Sequence, residues 1–366
     1  MKITGAVLEE VGRPRPYATS RPVRVVELDL DDPGPGEVLV RIEAAGVCHS
    51  DLSVVDGSRV RPVPMLLGHE AAGRVVSVGE GVNLRPGQRV VTVFLPRCGE
   101  CDGCLTGGKL PCEPGSVANG KGELFRGGTR LHLGGADVAH HLGVSGFATH
   151  AVLDARSLVP VDDDVPPEVA ALLGCAVLTG GGAVLNAGQP EPGHAIMIVG
   201  LGGVGMAALL TALSLGGEVI GVDSSPEKLD RATALGATSV FSPEKVAELG
   251  IRAPLVIEAA GHPRAFETAV QATSPGGRTV TVGLPSPDAR ASIAPLGITA
   301  EARTIVGSYL GSSIPSRDIP IFAQMWRERR LPVEALASSV IALDEINTAF
   351  DTLADGLAVR QIIRFD

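Results

Sequence analysis

Four of the six cysteines, Cys98, Cys101, Cys104 and Cys112, stand close together as C-x-x-C-x-x-C with a fourth after seven intervening residues. Four thiolates at such short spacing suit a closed tetrahedral zinc site, and a closed site has no open position for a substrate, so its expected task is structural. Free buried thiols or a redox switch are the alternatives. The other two, Cys48 in GVCHSD and Cys175 in LLGCAV, are far apart, with His69 of LGHEAAG between them. One imidazole and two thiolates would leave the fourth position of a zinc ion open, which is what catalysis requires. Each of the three also has a plainer reading, as a small buried hydrophobe or a core histidine, and spacing alone does not choose between them.

A second constellation is Gly200-x-Gly202-x-x-Gly205, directly after the apolar run AIMIV and before MAALLTALSLG. The first glycine permits a tight turn, the second lets a pyrophosphate approach the backbone, and the third lets the helix pack on the strand. The N–H groups and dipole at the start of that helix would face the phosphates, and Gly203 and Val204 of the same turn are counted with the coenzyme-binding residues. Asp223 closes the next apolar run at the distance the dinucleotide fingerprint requires. A carboxylate there accepts from ribose hydroxyls and repels a 2′-phosphate, so NAD is expected rather than NADP, with Lys228 able to reach the same ribose. A glycine-rich turn beside a surface aspartate is the alternative.

These residues need elements to hold them. Up to about residue 160 the chain consists of short β segments (KITGAVLEE, VRVVELDL, EVLVRIEAAG, AAGRVVSVGEGV, QRVVTVFLP) punctuated by DDPGPGE and RPGQ. CHSDLSVVDG predicts a short helix with Ser50 or Asp51 near its start. Residues 114–146 carry no periodic pattern and are expected to form a long loop. PPEVAALLGCAVLTGGGAVLNA has helical spacing with glycine interruptions. From His194 onward, apolar strands (AIMIVGLG, GEVIGVD, LVIEAAG, RTVTVGLP) alternate with helical stretches, the pattern of a parallel sheet covered on both faces. The expectation is an α/β protein in which residues 177–309 form the nucleotide domain. Residues 1–176 and 310–366 would form one discontinuous β-rich domain.

With 366 residues, 45% of them hydrophobic, there is enough chain for two cored domains of roughly 100–200 residues each. A net charge of −10 disfavours nucleic acid or an anionic membrane as partner. The first residues contain no apolar run suited to a signal peptide, so a cytoplasmic location is expected. The charge-free stretch from His194 to Gly217 is long enough to raise the question of a membrane span, but with GLGGVG inside it a buried strand, turn and helix is the better account.

Taken in order, GVCHSD, GHEAAGRVVSVGEGV, the four-cysteine loop, LLGCAVLTGGGAVLNA, VGLGGVG and VIGVDSSPEKLDRATALGAT resemble the zinc-containing medium-chain alcohol dehydrogenases, from about Gly5 to Phe365. The resemblance implies a GroES-like catalytic domain beside a Rossmann domain and two zinc ions per subunit. Cys48, His69 and Cys175 would be the catalytic ligands and the four-cysteine loop the structural site. It also implies that Asp51 orients His69, that Glu70 approaches the metal during ligand exchange, and that Ser50 takes the substrate proton. Thr179 and Val204 would pack on the nicotinamide, and Arg360 would contact a coenzyme phosphate. His49 stands where some members carry an arginine toward the pyrophosphate, and Ser53 where relatives with a complete proton relay carry histidine, so that relay would end in solvent. Phe94, Val117, Leu142, Leu284 and Tyr309 correspond to substrate-pocket positions and suggest a largely apolar site for a medium-sized or aromatic alcohol.

The function implied is hydride transfer between a primary or secondary alcohol and NAD, in a homodimer or a tetramer, with a small alcohol or aldehyde as the partner. A polyol or sugar dehydrogenase, an aldehyde reductase and a glutathione-dependent formaldehyde dehydrogenase are alternatives on the same scaffold. EPGSVANGKG contains no arginine for a glutathione carboxylate, which disfavours the last. A non-catalytic sensor that binds zinc and NADH is the reading from a different class.

Overall fold

Alternation of buried and exposed positions makes the first part of the chain β-structure, and the computed structural model, which describes residues 1–365, shows how those strands close. Lys2–Leu8, Val23–Leu30, Leu131–Leu133, Ala136–His140 and Met65–Leu66 form a closed barrel around Ile3, Val7, Leu28, Leu66, Leu131 and Val138. A seven-stranded sheet runs Leu158–Pro160, Arg89–Thr92, Ala71–Val78, Glu37–Val47, Arg360–Arg364, Ala337–Ile341, with His150–Asp154 also paired to Glu37–Val47. The last strand of the chain thus pairs antiparallel with the strand that leads into Cys48, Gln361 lying opposite Val47.

A six-stranded sheet is parallel throughout, in the order Ser239–Phe241, Val219–Val222, Ile196–Val199, Ala253–Glu258, Thr273–Thr281, Thr304–Gly307. Numbered along the chain this is 3-2-1-4-5-6, the doubly wound dinucleotide-binding order. Its strands are apolar because helices such as Gly203–Leu213 and Pro263–Gln271 lie against them. Both architectures agree with the expected pairing of a GroES-like and a Rossmann domain.

The chain separates into two compact units, Met1–Cys175 with Ile319–Ala323 and Ala337–Asp366, and Ala176–Asp318 with Gln324–Leu336. Residues 310–318 and 324–336, assigned from sequence to the β-rich domain, therefore cluster with the nucleotide-binding sheet.

One local reading is corrected. Residues 114–146 are not one loop: they contain the helix Glu113–Lys121 and two barrel strands. The helix escapes a periodicity search because it buries Gly115, Ala118 and Asn119, which form no apolar stripe. The helix His49–Val55 forms as expected, with Ser50 and Asp51 in its first turn and Cys48 at its N-cap. Asp51 accepts from the Cys48 N–H at 3.0 Å. The helical run Pro167–Gly188 is long and apolar enough to cross a membrane, yet 89% of its most apolar window is buried in the protein. The stretch from His194 that raised the same question is the strand Ile196–Val199, the glycine turn and the helix Gly203–Leu213.

Candidate metal centres and nucleotide site

Strand register brings the first cluster together. Cys48 follows the end of Glu37–Val47, and Arg360 begins the strand paired to it. His69 and Glu70 precede Ala71–Val78, whose Ala71 lies opposite Ala45 on the other side of the same strand. Gly46 donates its N–H to the Glu70 carbonyl at 2.7 Å. Cys175 arrives from a helix of unusual winding. Its α turns are interrupted by π stretches at Leu173–Val177 and Ala183–Gly188, a distortion that often marks functional positions. Close approach of that helix to the sheet requires Gly174, where a Cβ would stand 2.0 Å from the Thr92 carbonyl oxygen.

The ligand atoms of Cys48, His69, Glu70 and Cys175 all lie within 4.8 Å of one another, and all four residues are buried. Cys175 Sγ is 3.6 Å from His69 Nε2. Tetrahedral zinc with Zn–S about 2.3 Å and Zn–N about 2.05 Å puts such a pair about 3.6 Å apart. The donor set and its spacing therefore fit zinc. His69 Nδ1 is 2.9 Å from Asp51 Oδ1, which leaves Nε2 for a metal, as the family resemblance implies. Phe94 meets the His69 ring edge-on at 5.7 Å.

The electrostatics distinguish the two thiols, with Cys48 the more readily ionised. A hydrogen bond with Cys175 and the charge of Arg360 hold the Cys48 thiol well below its ordinary range. That same bond, together with burial, pushes Cys175 up. Burial alone would raise Asp51, but the attraction of His69, with a smaller one from the nearby His141 ring, takes it well below the usual carboxylate range. Arg360, expected at a coenzyme phosphate, is buried, and its guanidinium donates to Glu70 Oε2 at 3.1 Å and to Cys48 Sγ at 3.3 Å. This buried arginine makes the surroundings of the thiolates cationic, a role that the sequence pattern did not announce. His141 was missed as well: its ring nitrogen Nδ1 lies 3.1 Å from the same Asp51 oxygen.

Cys98, Cys101, Cys104 and Cys112 also gather their sulfurs within 4.8 Å. Cys98 and Cys104 are 3.7 Å apart and Cys101 and Cys112 4.0 Å, close to the spacing of about 3.8 Å along the edge of a tetrahedron with Zn–S of about 2.3 Å. Arg97 ties the loop by donating to the carbonyls of Gly103 and Leu110. Backbone donors at Glu100 and Cys101 lower Cys98 to about 6, so a thiolate is ready near neutral pH.

In the nucleotide-binding unit each glycine meets its expected constraint. Gly200 has φ +91 and Gly205 would place a Cβ 1.8 Å from the Gly200 carbonyl oxygen. A Cβ at Gly202 would meet nothing within 4 Å, which is the open approach a pyrophosphate needs. Gly202 caps the helix that begins at Gly203. Asp223 accepts from the Leu201 N–H at 2.7 Å and the Ser225 N–H at 3.0 Å, so its carboxylate is pinned beside the glycine turn. Lys228 Nζ stands 4.0 Å from it. Thr179 and Val204 occur where the helix Leu178–Gly182 crosses Gly203–Leu213. A Cβ on Gly180 there would be 2.2 Å from the Val204 carbonyl.

Of the remaining expected residues, His49 is exposed and Ser50 half-buried in the first turn after Cys48. Ser53 donates its hydroxyl to the His49 carbonyl at 2.8 Å, within its own helix. Phe94 and Leu142 are buried, whereas Val117, Leu284 and Tyr309 are exposed.

Comparison with known proteins agrees with this geometry. Residues 34–163 match the alcohol dehydrogenase GroES-like domain and residues 203–327 the zinc-binding dehydrogenase family. A Mycobacterium tuberculosis protein with the provisional name alcohol dehydrogenase D is 36% identical over 99% of this chain and 100% of its own. An Escherichia coli S-(hydroxymethyl)glutathione dehydrogenase is 32% identical over 95% of this chain and 98% of its own. The crystal structure of benzyl alcohol dehydrogenase from Acinetobacter calcoaceticus superposes with a TM-score of 0.90 at 30% identity, covering 100% of both chains.

Proposed function

The chain belongs to the zinc-containing medium-chain alcohol dehydrogenase family and is an alcohol oxidoreductase, and we propose that it oxidises apolar or aromatic alcohols with NAD, using one catalytic and one structural zinc per subunit. The observation that carries the proposal is the convergence of Cys48, His69 and Cys175 at zinc-ligand spacing on a buried, arginine-backed site.

A zinc ion held there would acidify an alcohol oxygen and stabilise its negative charge. The chain's own residues do the rest. Asp51 fixes the tautomer and orientation of His69 while anchoring the backbone of Cys48. Glu70, paired with Arg360, keeps a carboxylate at hand for exchange of the fourth ligand. Ser50 takes the alcohol proton and passes it outward. Ser53 provides no histidine terminus, and its hydroxyl is spent on its own helix, so solvent completes the relay. Phe94 and Leu142 give the substrate side an apolar character. In the other unit the Gly200–Gly205 turn takes the pyrophosphate, and Asp223 accepts from the adenosine ribose and discriminates against a 2′-phosphate.

The similarity to an S-(hydroxymethyl)glutathione dehydrogenase favours a glutathione adduct as the second reading. The helix Glu113–Lys121 opposes it, because Lys121 is its only basic residue. A cytoplasmic homodimer, with a tetramer as the alternative, completes the proposal. Thr304–Gly307 is the outer strand of its sheet, an edge suited to pairing with a second copy.

The test is Cys48→Ser with a substrate panel. Benzyl and medium-chain alcohols should reduce NAD with the parent and not with the variant, while zinc falls from two per chain to one and the circular dichroism is unchanged. Turnover confined to S-hydroxymethylglutathione, or full activity of the variant, would reject the proposal.

A further inference from the structure

Asp51 is fully buried, and its neighbours include a second histidine that the roles above leave unused. A buried carboxylate needs its oxygens met by donors, because solvent cannot meet them. Oδ2 receives the Cys48 N–H at 3.0 Å. Oδ1 is approached by two imidazoles through their Nδ1 atoms, His69 at 2.9 Å and His141 at 3.1 Å. The two rings stand nearly perpendicular, at 80°, with centroids 5.3 Å apart. The His141 contact is off the line of a well-directed hydrogen bond, so its attraction is mainly that of an N–H dipole for the carboxylate. A bare ring nitrogen at that distance would turn its lone pair on a carboxylate oxygen, so Nδ1 of His141 carries the proton. Burial keeps the ring neutral, against the opposing pull of Asp51.

The backbone around His141 is built to hold the ring there. His141 follows the strand Ala136–His140, whose His140 pairs with Leu66 in register. Its N–H donates to Ser145 Oγ at 3.1 Å, and that hydroxyl donates to the Leu66 carbonyl at 2.8 Å. Leu142, Gly143 and Ser145 all have positive φ, which folds the chain back sharply after the histidine. Gly146 and Phe147 then donate to the Gly68 and Leu67 carbonyls. The loop that carries His141 is thereby stitched to the three residues immediately before His69.

We infer that His141 is a positioning residue of the catalytic metal site: its ring shares Oδ1 of Asp51 with His69 and so fixes the carboxylate that orients two of the three ligands, His69 through its ring and Cys48 through its backbone. The inference rests on the assignment of Cys48, His69 and Cys175 as zinc ligands. It specifies that the Nδ1–H donor matters and that bulk alone does not.

The experiment measures zinc release from the purified holoenzyme to the chromophoric chelator 4-(2-pyridylazo)resorcinol, with the cobalt-substituted catalytic site followed by its d–d absorption. His141→Asn keeps a donor where Nδ1 stands, and His141→Ala removes it. Ala should speed release from one of two zinc sites by about 10–100-fold and shift the d–d bands, while Asn should release within about threefold of the parent with bands restored. The four-cysteine zinc serves as an internal control and should be unaffected by either change. Should His141→Ala not fold, His141→Gln replaces it, because its amide lies one bond beyond the Nδ1 position and should behave like the donor-less form. Equal behaviour of Asn and Ala, or no acceleration in Ala or Gln, overturns the inference and leaves the ligand assignment standing. A third zinc in the parent that disappears with His141 overturns it too, because Asp51, His69 and His141 would then be ligands of another ion. A parent with only one zinc per chain overturns the ligand assignment and this inference with it.

Discussion

Replacing Gly174 by alanine should remove the catalytic zinc without touching any ligand. A Cβ at this position would lie 2.0 Å from the Thr92 carbonyl oxygen, whereas real Cβ contacts do not fall below 3.0 Å, so something must retreat by at least 1.0 Å (3.0 − 2.0). Thr92 cannot easily yield. Its strand is paired on both sides, to Ala71–Val78 and Leu158–Pro160, and its hydroxyl bonds both the N–H and the carbonyl of Ala71 at 3.0 Å. The π segment that carries Cys175 is the softer partner. Zinc–ligand distances are kept to within about 0.2 Å, so a shift of about 1 Å one residue away takes Cys175 out of the ligand set. The fold should survive, because overpacking of this kind costs about 1–3 kcal/mol. Metal analysis should give one zinc per chain, alcohol oxidation should fall at least about a hundredfold, and NADH binding and far-ultraviolet circular dichroism should be retained. Two zincs per chain with activity within about twofold of the parent would refute the reasoning, because the strand would then have yielded and the helix held.

Two more predictions follow from other parts of the molecule. Asp223→Ser unpins the glycine turn from its carboxylate and admits a 2′-phosphate. The ratio of kcat/KM for NAD over NADP should fall by about 10–100-fold, as for loss of a charged hydrogen bond, and an unchanged ratio in steady-state kinetics would count against the ribose role. Burial, with a smaller contribution from Arg130, pushes His140 down to about 3, against about 6.5 in the unfolded chain. Protonation is therefore easier in the unfolded state. The stability tied to this neutral histidine is complete above about pH 6.5 and is lost as pH falls toward 3, by about 5 kcal/mol over that range. In urea titrations at successive pH values, His140→Gln should flatten the acid decline between pH 6.5 and 4 relative to the parent, and parallel curves would contradict the account.

Much of the chemistry was legible in the sequence because it is local. The four-cysteine loop and the glycine turn each lie within a short stretch, so spacing alone restricts what they can hold, and apolar runs alternating with helical stretches mark the parallel sheet. The helix Glu113–Lys121 was not legible, because it buries glycine, alanine and asparagine and lacks an apolar stripe. Val117, placed in the pocket by resemblance, is exposed on that helix, while Phe94 and Leu142 are buried.

The sequence by itself determined the inventory: which residues can bind zinc, which turn can receive a pyrophosphate, and which runs become strands. The tertiary structure decided which distant residues share a site. Cys48 and Cys175 are 127 positions apart, yet each reaches His69, one through strand register and the other through a π-wound helix brought against Thr92 by a glycine. It also decided that Arg360 turns inward to Glu70 and Cys48 and that His141 joins His69 on Asp51. The physical reason is that burial decides what an ionisable side chain can do: once water is excluded, a charge must find partners in whatever strand or turn packs beside it, and no linear pattern records which that will be.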